Sequence, residues 1–358
     1  MTDVPALEFV PTVAKFFPAA RRAASAPVFT SHRGARFAEI FARLHANLRR
    51  LSGGRYRAVV AAGSGTWANE LAAWNFAEAE DAPLVLVNGE FGERLFAQVS
   101  RASGGRARRA DFGWGEAFSE EKLRERLRGT PRARRIFCVA CETSWGGVTD
   151  LAALDRAARE HGAEIVLDAM SAVGFSPEIF AFPSVRAVSA SSGKGLAGVP
   201  GLALLFVRGD VAPAEPRGRG PVSLDLAAHE AATAAGAPLN TIGSNLVDVL
   251  NASVEEILAL GQTRYRERLA ALKSRIVSVF ARRGFEAFPG SNSPMITAFR
   301  RSRDARADAA LASALARAGI EIYDRPKYLR ERGLFEVATM GDFSDADLDA
   351  LEAALLGM

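Results

Sequence analysis

Short apolar runs alternate with amphipathic stretches along the first 210 residues of the chain. Brief apolar runs bounded by glycine or polar residues read as buried strands. Apolar positions recurring every three or four residues read as helices that cover them. Strands are expected at "APLVLVNG" (82–89), "RARRADF" (106–112), "RRIFCVACE" (134–142), "AEIVLDA" (163–169), "SVRAVSA" (184–190) and "GLALLFV" (201–207). Helical patterns fill 66–80, 91–103, 119–129 and 151–161. Such alternation specifies an α/β fold around a mostly parallel sheet covered on both faces. The tight link "SGKGLAGVPG" between the last two strands breaks the rhythm and predicts a local departure from the crossover pattern.

Beyond the Pro-, Gly- and Arg-rich stretch "RGDVAPAEPRGRGP" (208–221) the pattern changes. One long helical pattern covers 243–283, and an α+β segment follows: "FEAFPG", "MITAFR", a helix over 304–318, "GIEIYD", "LFEVATMG" and a last helix from "SDADLDALEAAL". Ser344 and Asp347 at the start of that helix have the spacing of a capping box. The expected organisation is an N-terminal segment (1–30), a large α/β domain (31–245), and a connecting helix with a small C-terminal α+β domain (246–358).

A hydrophobic content of 49% and a charged content of 24% over 358 residues are ordinary for a globular enzyme of this plan. The net charge is only +4 and the arginines are spread over many helices, which argues against nucleic acid as a partner. The first residues lack the pattern of a secretory leader, and no apolar run approaches the length of a membrane span. A cytoplasmic location without a membrane partner is the expectation. Cys138 and Cys141 have C-x-x-C spacing, but they fall in a buried strand, where positions three apart point to opposite faces. With no second cysteine pair, and no ligand spacing among His32, His45, His161 and His229, no metal site is expected.

The candidate chemistry begins with lysine. Only five occur, at 15, 122, 194, 273 and 327, so nearly all of the 45 basic residues are arginine. Lys194 lies in "VSASSGKGLAGVPGLALLFVRGD" (188–210), between two apolar strands. An ammonium there is costly unless it is paired or neutralised. Asp168 ends the apolar run of "IVLDAMSAVG", so its carboxylate needs a partner, whether a helix terminus, an arginine or a ligand. Gly63, Ser64 and Gly65 precede a helix starting near Thr66, where backbone N–H groups can approach an anion, although a plain tight turn fits equally. Thr143 and Ser144 in "CETSWGGVTD" place hydroxyls at another strand end.

Taken in order and at this spacing, with "NGEFGER" among them, these motifs resemble the class V aminotransferases. These are fold-type I pyridoxal-phosphate enzymes, and the likeness is to the alanine–glyoxylate, serine–pyruvate and 2-aminoethylphosphonate transaminase group. The resemblance runs from "SHRGARFAEIF" (31–41) to "VATMGDFSDADLDAL" (337–351). It implies a large, mostly parallel sheet domain with a small C-terminal domain, and pyridoxal 5'-phosphate as cofactor. Lys194 would form the Schiff base and shuttle the substrate proton, while Asp168 would pair with the pyridinium nitrogen. Phe91 would stack on the ring, with Thr143 beside it. Ser64, Gly65, Thr66 and Ser192 would hold the phosphate. Thr241 in "APLNTIGSN" would reach the phosphate from a neighbouring subunit, implying a homodimer with a shared active site. A cap on the long helix is a compatible role for Thr241.

One segment departs from the pattern. Where the family writes R-I-G-x-x-G, with an arginine fork for the substrate anion, this chain has "EVATMG" and Glu336 at the arginine position. The glycine–proline element usual near the N-terminus is replaced by "KFFPAARRAASAPVF". Three readings stay open. Arg325 or Lys327 in "IYDRPKYLRERG" replaces the anchor; Glu336 recognises a cationic or neutral group; or Glu336 faces solvent and Arg33 in "SHRGAR" does the anchoring. The expected reaction is transamination from a small amino donor to a 2-oxo acid or aldehyde. Elimination on the same cofactor is the alternative, and a fold retained without catalysis is a further one.

Overall fold

A computed structural model describes residues 7–77, 82–130, 133–210 and 220–358. Its centre is a seven-stranded sheet in the order Tyr56–Ala62, Leu202–Arg208, Val185–Ser191, Glu164–Asp168, Arg135–Val139, Leu84–Val87, Arg108–Asp111. Neighbours run parallel from Val185–Ser191 outward to Arg108–Asp111. Leu202–Arg208 is antiparallel to both of its neighbours. The link through Lys194 is too short for a crossover helix, so the chain can only turn back, as its tightness predicts. Tyr56–Ala62, which is not among the expected strands, forms the edge beside it.

Alternate strand residues face opposite layers. Val85, Val87, Phe137, Val139 and Val166 pack under the helices Gly65–Phe76 and Glu90–Ala102. Leu84, Leu86, Ile136, Cys138, Ile165 and Leu167 pack under Ala35–Leu51, Leu151–His161 and Ser244–Leu260. Leu151–His161 has the bounds expected from the sequence; Asp150 accepts from Ala153 N at its start, and Gly162 at φ 71° ends it.

Three expectations are corrected. The pattern over 243–283 is two helices, Ser244–Leu260 and Gln262–Ala281, because Gly261 adopts φ 83° and interrupts the backbone ladder. "RRIFCVACE" divides at Ala140, whose N–H makes the last ladder bond, to the carbonyl of Asp168; beyond it Cys141–Glu142 leaves the sheet and pairs with Gly147–Val148. "FEAFPG" makes no strand, only an isolated bridge from Ala287 to Phe299. The helix expected over 66–80 ends at Phe76, and the last residues of that span lie outside the described ones.

A second apolar core forms around Ile296–Arg300 paired with Leu334–Ala338, under the helices Gln262–Ala281, Ala305–Arg317 and Asp345–Leu356. The rings of Phe280, Phe299 and Phe335 stack at its centre. Leu7–Phe9 pairs in parallel with Ile320–Ile322 and closes this unit. The capping box of Ser344 and Asp347 is present as expected. Strand alternation turns Phe335 and Val337 into this core and sends Glu336 the other way, toward the large sheet.

Candidate functional site

The site gathers where the parallel strands end at their carboxyl termini, the position open α/β sheets use for ligands. Asp168 closes its strand and is buried, 6% exposed. Its Oδ2 accepts from Asn69 Nδ2 at 2.6 Å and its Oδ1 from the Met170 amide at 3.1 Å. Ser189 Oγ donates to Asn69 Oδ1 at 2.5 Å and so fixes the amide that holds the carboxylate. Burial raises the pKa of Asp168; the Asn69 bond and the nearby Lys194 oppose it. Asn69 was not singled out from sequence. Its one signal was a polar residue on the buried face of an otherwise apolar helix.

Lys194 sits in a turn locked from several sides. Ser192 Oγ donates to the Val199 carbonyl at 2.5 Å and accepts from the Leu202 amide at 3.1 Å. Ser253 Oγ of the helix Ser244–Leu260 donates to the Leu196 carbonyl at 2.6 Å. The small residues around the lysine have a packing cause: a Cβ on Gly195 would stand 2.3 Å from the Val173 carbonyl oxygen. Two turns therefore meet backbone to backbone, one after Asp168 and one carrying Lys194, and this brings the two side chains to one place. Lys194 is part-buried, with Nζ 5.5 Å from the centroid of the Phe91 ring. Burial lowers its pKa, against the pull of Asp168.

Phe91 is held by Glu142, which sequence reasoning passed over in favour of the adjacent hydroxyls. The Glu142 carboxylate is 1% exposed and accepts from the amides of Phe91 (3.2 Å), Gly92 (2.9 Å) and Ser144 (3.3 Å), and from Ser144 Oγ (2.5 Å). It caps the helix Glu90–Ala102 and sets where Phe91 stands. Gly89 permits this approach, because a Cβ there would lie 2.4 Å from Glu142 Cγ. Thr143 is buried beside it. Arg94, one turn along, lays its guanidinium 4.6 Å over the Phe91 ring.

Residues 14–322 match the family described as aminotransferase class-V. The chain belongs to that family. It is 27% identical over 314 residues to a 2-aminoethylphosphonate–pyruvate transaminase of Syntrophobacter fumaroxidans, covering 85% of this chain and 82% of that one. Among solved structures, an alanine–glyoxylate aminotransferase from Nostoc sp. superposes with TM-score 0.87 at 22% identity, over 99% of this chain and 95% of that one. A subgroup IV aspartate aminotransferase from Thermus thermophilus gives 0.84 at 24%, over 98% and 99%. The α/β fold expected from sequence is thus that of the fold-type I aminotransferases.

In this aminotransferase the expected phosphate cradle is a helix start. Ser64 caps Gly65–Phe76, accepting from Trp67 N at 3.4 Å, and the amides of Gly65 and Thr66 meet no acceptor among the described residues. Thr66 and Arg94 also line a cavity of about 470 Å³ between this helix and the next. Thr241 stands apart. It is exposed and in hydrogen-bond range of His32 (3.4 Å), and the cap of the long helix is Gly243, so the capping role is not the one it takes.

The substrate-side candidates separate sharply. Arg325 and Lys327 are both 82% exposed and pair with Glu321 and Glu331 of their own segment, at 3.6 Å each. Arg33 is exposed on the loop before the helix Ala35–Leu51. None of the three is brought into the cluster around Lys194. Glu336 is: it is 0% exposed, which corrects the reading that places it in solvent. Neither carboxylate oxygen has a hydrogen-bond partner among the described residues. Burial raises its pKa strongly, with Lys194 opposing and Glu142 adding to the shift.

Both cysteines are buried and free, Cys138 beside Thr149 and Cys141 beside Ser293. Among the described residues no helix is long and apolar enough to cross a membrane.

Proposed function

We propose that this aminotransferase uses pyridoxal phosphate to move an amino group from a small donor to a 2-oxo acid or aldehyde. The observation that carries the reading is the convergence of Lys194 and Asp168 from two interlocked turns, with Phe91 facing the lysine amine at 5.5 Å. These residues fit the group. A buried carboxylate whose pKa is raised suits a cationic ring nitrogen, a lysine lowered by burial suits covalent attachment, and two free helix amides suit a phosphate. When bound, the cofactor supplies an electron-withdrawing ring that eases ionisation of the donor's Cα–H bond.

The chain's own residues supply the rest. Lys194 Nζ would hold the cofactor and, once free, would take the donor's α-proton, a role its lowered pKa favours. Asp168, oriented by Asn69, keeps the ring nitrogen protonated. Phe91 and Thr143 would flank the cofactor ring. Ser64, Gly65 and Thr66 receive the phosphate. Ser192, whose hydroxyl proton goes to Val199, we assign to shaping the lysine turn. Thr241, exposed and away from this cluster, completes the phosphate site of a second copy in a homodimer. The donor is selected by Glu336 in place of an arginine, and the chain divides near residue 245 into a cofactor-binding part and a smaller part that carries Glu336.

The test is borohydride reduction of the holoenzyme followed by peptide mapping, with Lys194→Ala beside it. The label belongs on Lys194, and the cofactor's visible band should be lost in the variant. Label on Lys273, the other lysine whose pKa burial lowers, to about 8, would sink the assignment.

A further inference from the structure

Glu336 finds no hydrogen-bond partner among the described residues. A carboxyl group with no exposed surface and two unbonded oxygens is costly to hold in a fold, and a bound ligand group is one arrangement that would offset that cost. The neighbouring hydroxyls do not serve it. Tyr323 and Tyr328 lie close enough to feel the charge of Glu336, yet neither hydroxyl bonds to it. The opposite charge that acts on it is Lys194, which does not reach its oxygens. The walls are aromatic: Phe91 and Tyr328 stand edge to face at 6.5 Å, and Tyr323 carries the backbone bridge to Glu336. Aromatic faces around a buried carboxylate are a cation's environment. Glu142 adds negative field, although its own oxygens are spent on backbone amides.

We infer that the amino donor carries a second cationic group, an ammonium or guanidinium, which binds Glu336 between Phe91, Tyr323 and Tyr328 while the reacting amine meets Lys194. The inference rests on the transaminase reading above and names the donor class for it. A cationic group there would favour the ionised form of Glu336, its proton passing to solvent, and be held by a charge-assisted hydrogen bond, whereas a carboxylate or phosphonate would meet no compensating charge.

The holoenzyme is titrated with 1,4-diaminobutane, 1-aminobutane, L-alanine and 2-aminoethylphosphonate, following loss of the cofactor band. Half-saturation for the diamine should lie about tenfold or more below that for 1-aminobutane, the scale of one charged hydrogen bond. Glu336→Gln should erase that ratio with the band intact. Glu336→Arg should turn the preference toward 2-aminoethylphosphonate. A second measurement needs no turnover: calorimetric binding of butylguanidinium, which cannot react, against its neutral isostere butylurea. Wild type should prefer the cation and Glu336→Gln should not. A Glu336-dependent preference for the cation in either experiment supports the inference. Preference of wild type for alanine or the phosphonate, or no Glu336-dependent preference in either experiment, overturns it. Failure of the cofactor assignment shows separately, as a band that survives in Lys194→Ala, while guanidinium binding still reports on Glu336.

Discussion

Replacing Glu336 by leucine should make the cofactor-free protein more stable. The substitution keeps the approximate volume, removes two unbonded oxygens from a site with 0% exposure, and leaves no partner stranded. An unsatisfied buried polar group costs about 1–3 kcal/mol, so Glu336→Leu should gain an amount of that order. In a chain of this length that is a rise of a few degrees in Tm. The pH dependence has a definite sign. In the unfolded chain Glu336 ionises above the usual carboxylate value near 4.5, whereas burial keeps it protonated to higher pH in the fold. Its contribution is therefore fully present below the unfolded value and is lost as pH rises through the raised folded value. The leucine variant has no such loss, so its advantage should be larger at about pH 8 than at about pH 5. Urea denaturation of both apo proteins at the two pH values measures it. A variant less stable than wild type by about 1 kcal/mol or more would mean that Glu336 is partnered after all, and an advantage that shrinks with pH would refute the burial argument.

Other expectations concern the supports of the site. Asn69→Ala removes the 2.6 Å bond to Asp168 and lets its pKa climb further, so cofactor affinity should fall about tenfold in a spectroscopic titration; unchanged affinity would deny Asn69 its positioning role. Gly195→Ala forces a Cβ to 2.3 Å from the Val173 carbonyl and should cost about 1–3 kcal/mol by overpacking, read from chemical denaturation, with a neutral effect showing that the two turns can separate. Cys138 and Cys141, 0% and 4% exposed and both with pKa pushed up to about 12, should stay silent to a thiol reagent until the protein unfolds. Prompt modification of either in the native state would contradict that burial.

What could be read from the sequence was local and periodic. The central strands are short apolar runs and needed little else, and the antiparallel strand followed from a link too tight to cross over. Lys194 and Asp168 stood out because each is a charge at the end of an apolar run. Tyr56–Ala62 escaped because its apolar core is brief and runs into the glycine turn. The break at Gly261 was masked by helical periodicity on both sides, since one glycine inside a helical pattern is often tolerated. Asn69 and Glu142 act by orienting other residues, and no spacing rule announces a partner brought from 99 residues away, as Asn69 is to Asp168, or 50, as Glu142 is to Gly92. The departure at Glu336 was visible as a letter. Whether it pointed to solvent or inward was decided by strand alternation against a core of phenylalanines.

The pairing of Leu7–Phe9 with Ile320–Ile322 has a consequence for synthesis. During translation the seven-stranded sheet can be completed once Leu202–Arg208 has emerged, but the strand made first has no partner until more than a hundred further residues follow. Loop closure over that separation comes late and is slow. The nascent chain therefore carries an unpaired β edge, with Phe9 uncovered, for much of its time on the ribosome. A ribosome stalled between Arg208 and Ile320 holds a finished sheet beside an adhesive edge at Leu7–Phe9, and arrival of Ile320–Ile322 is what buries it.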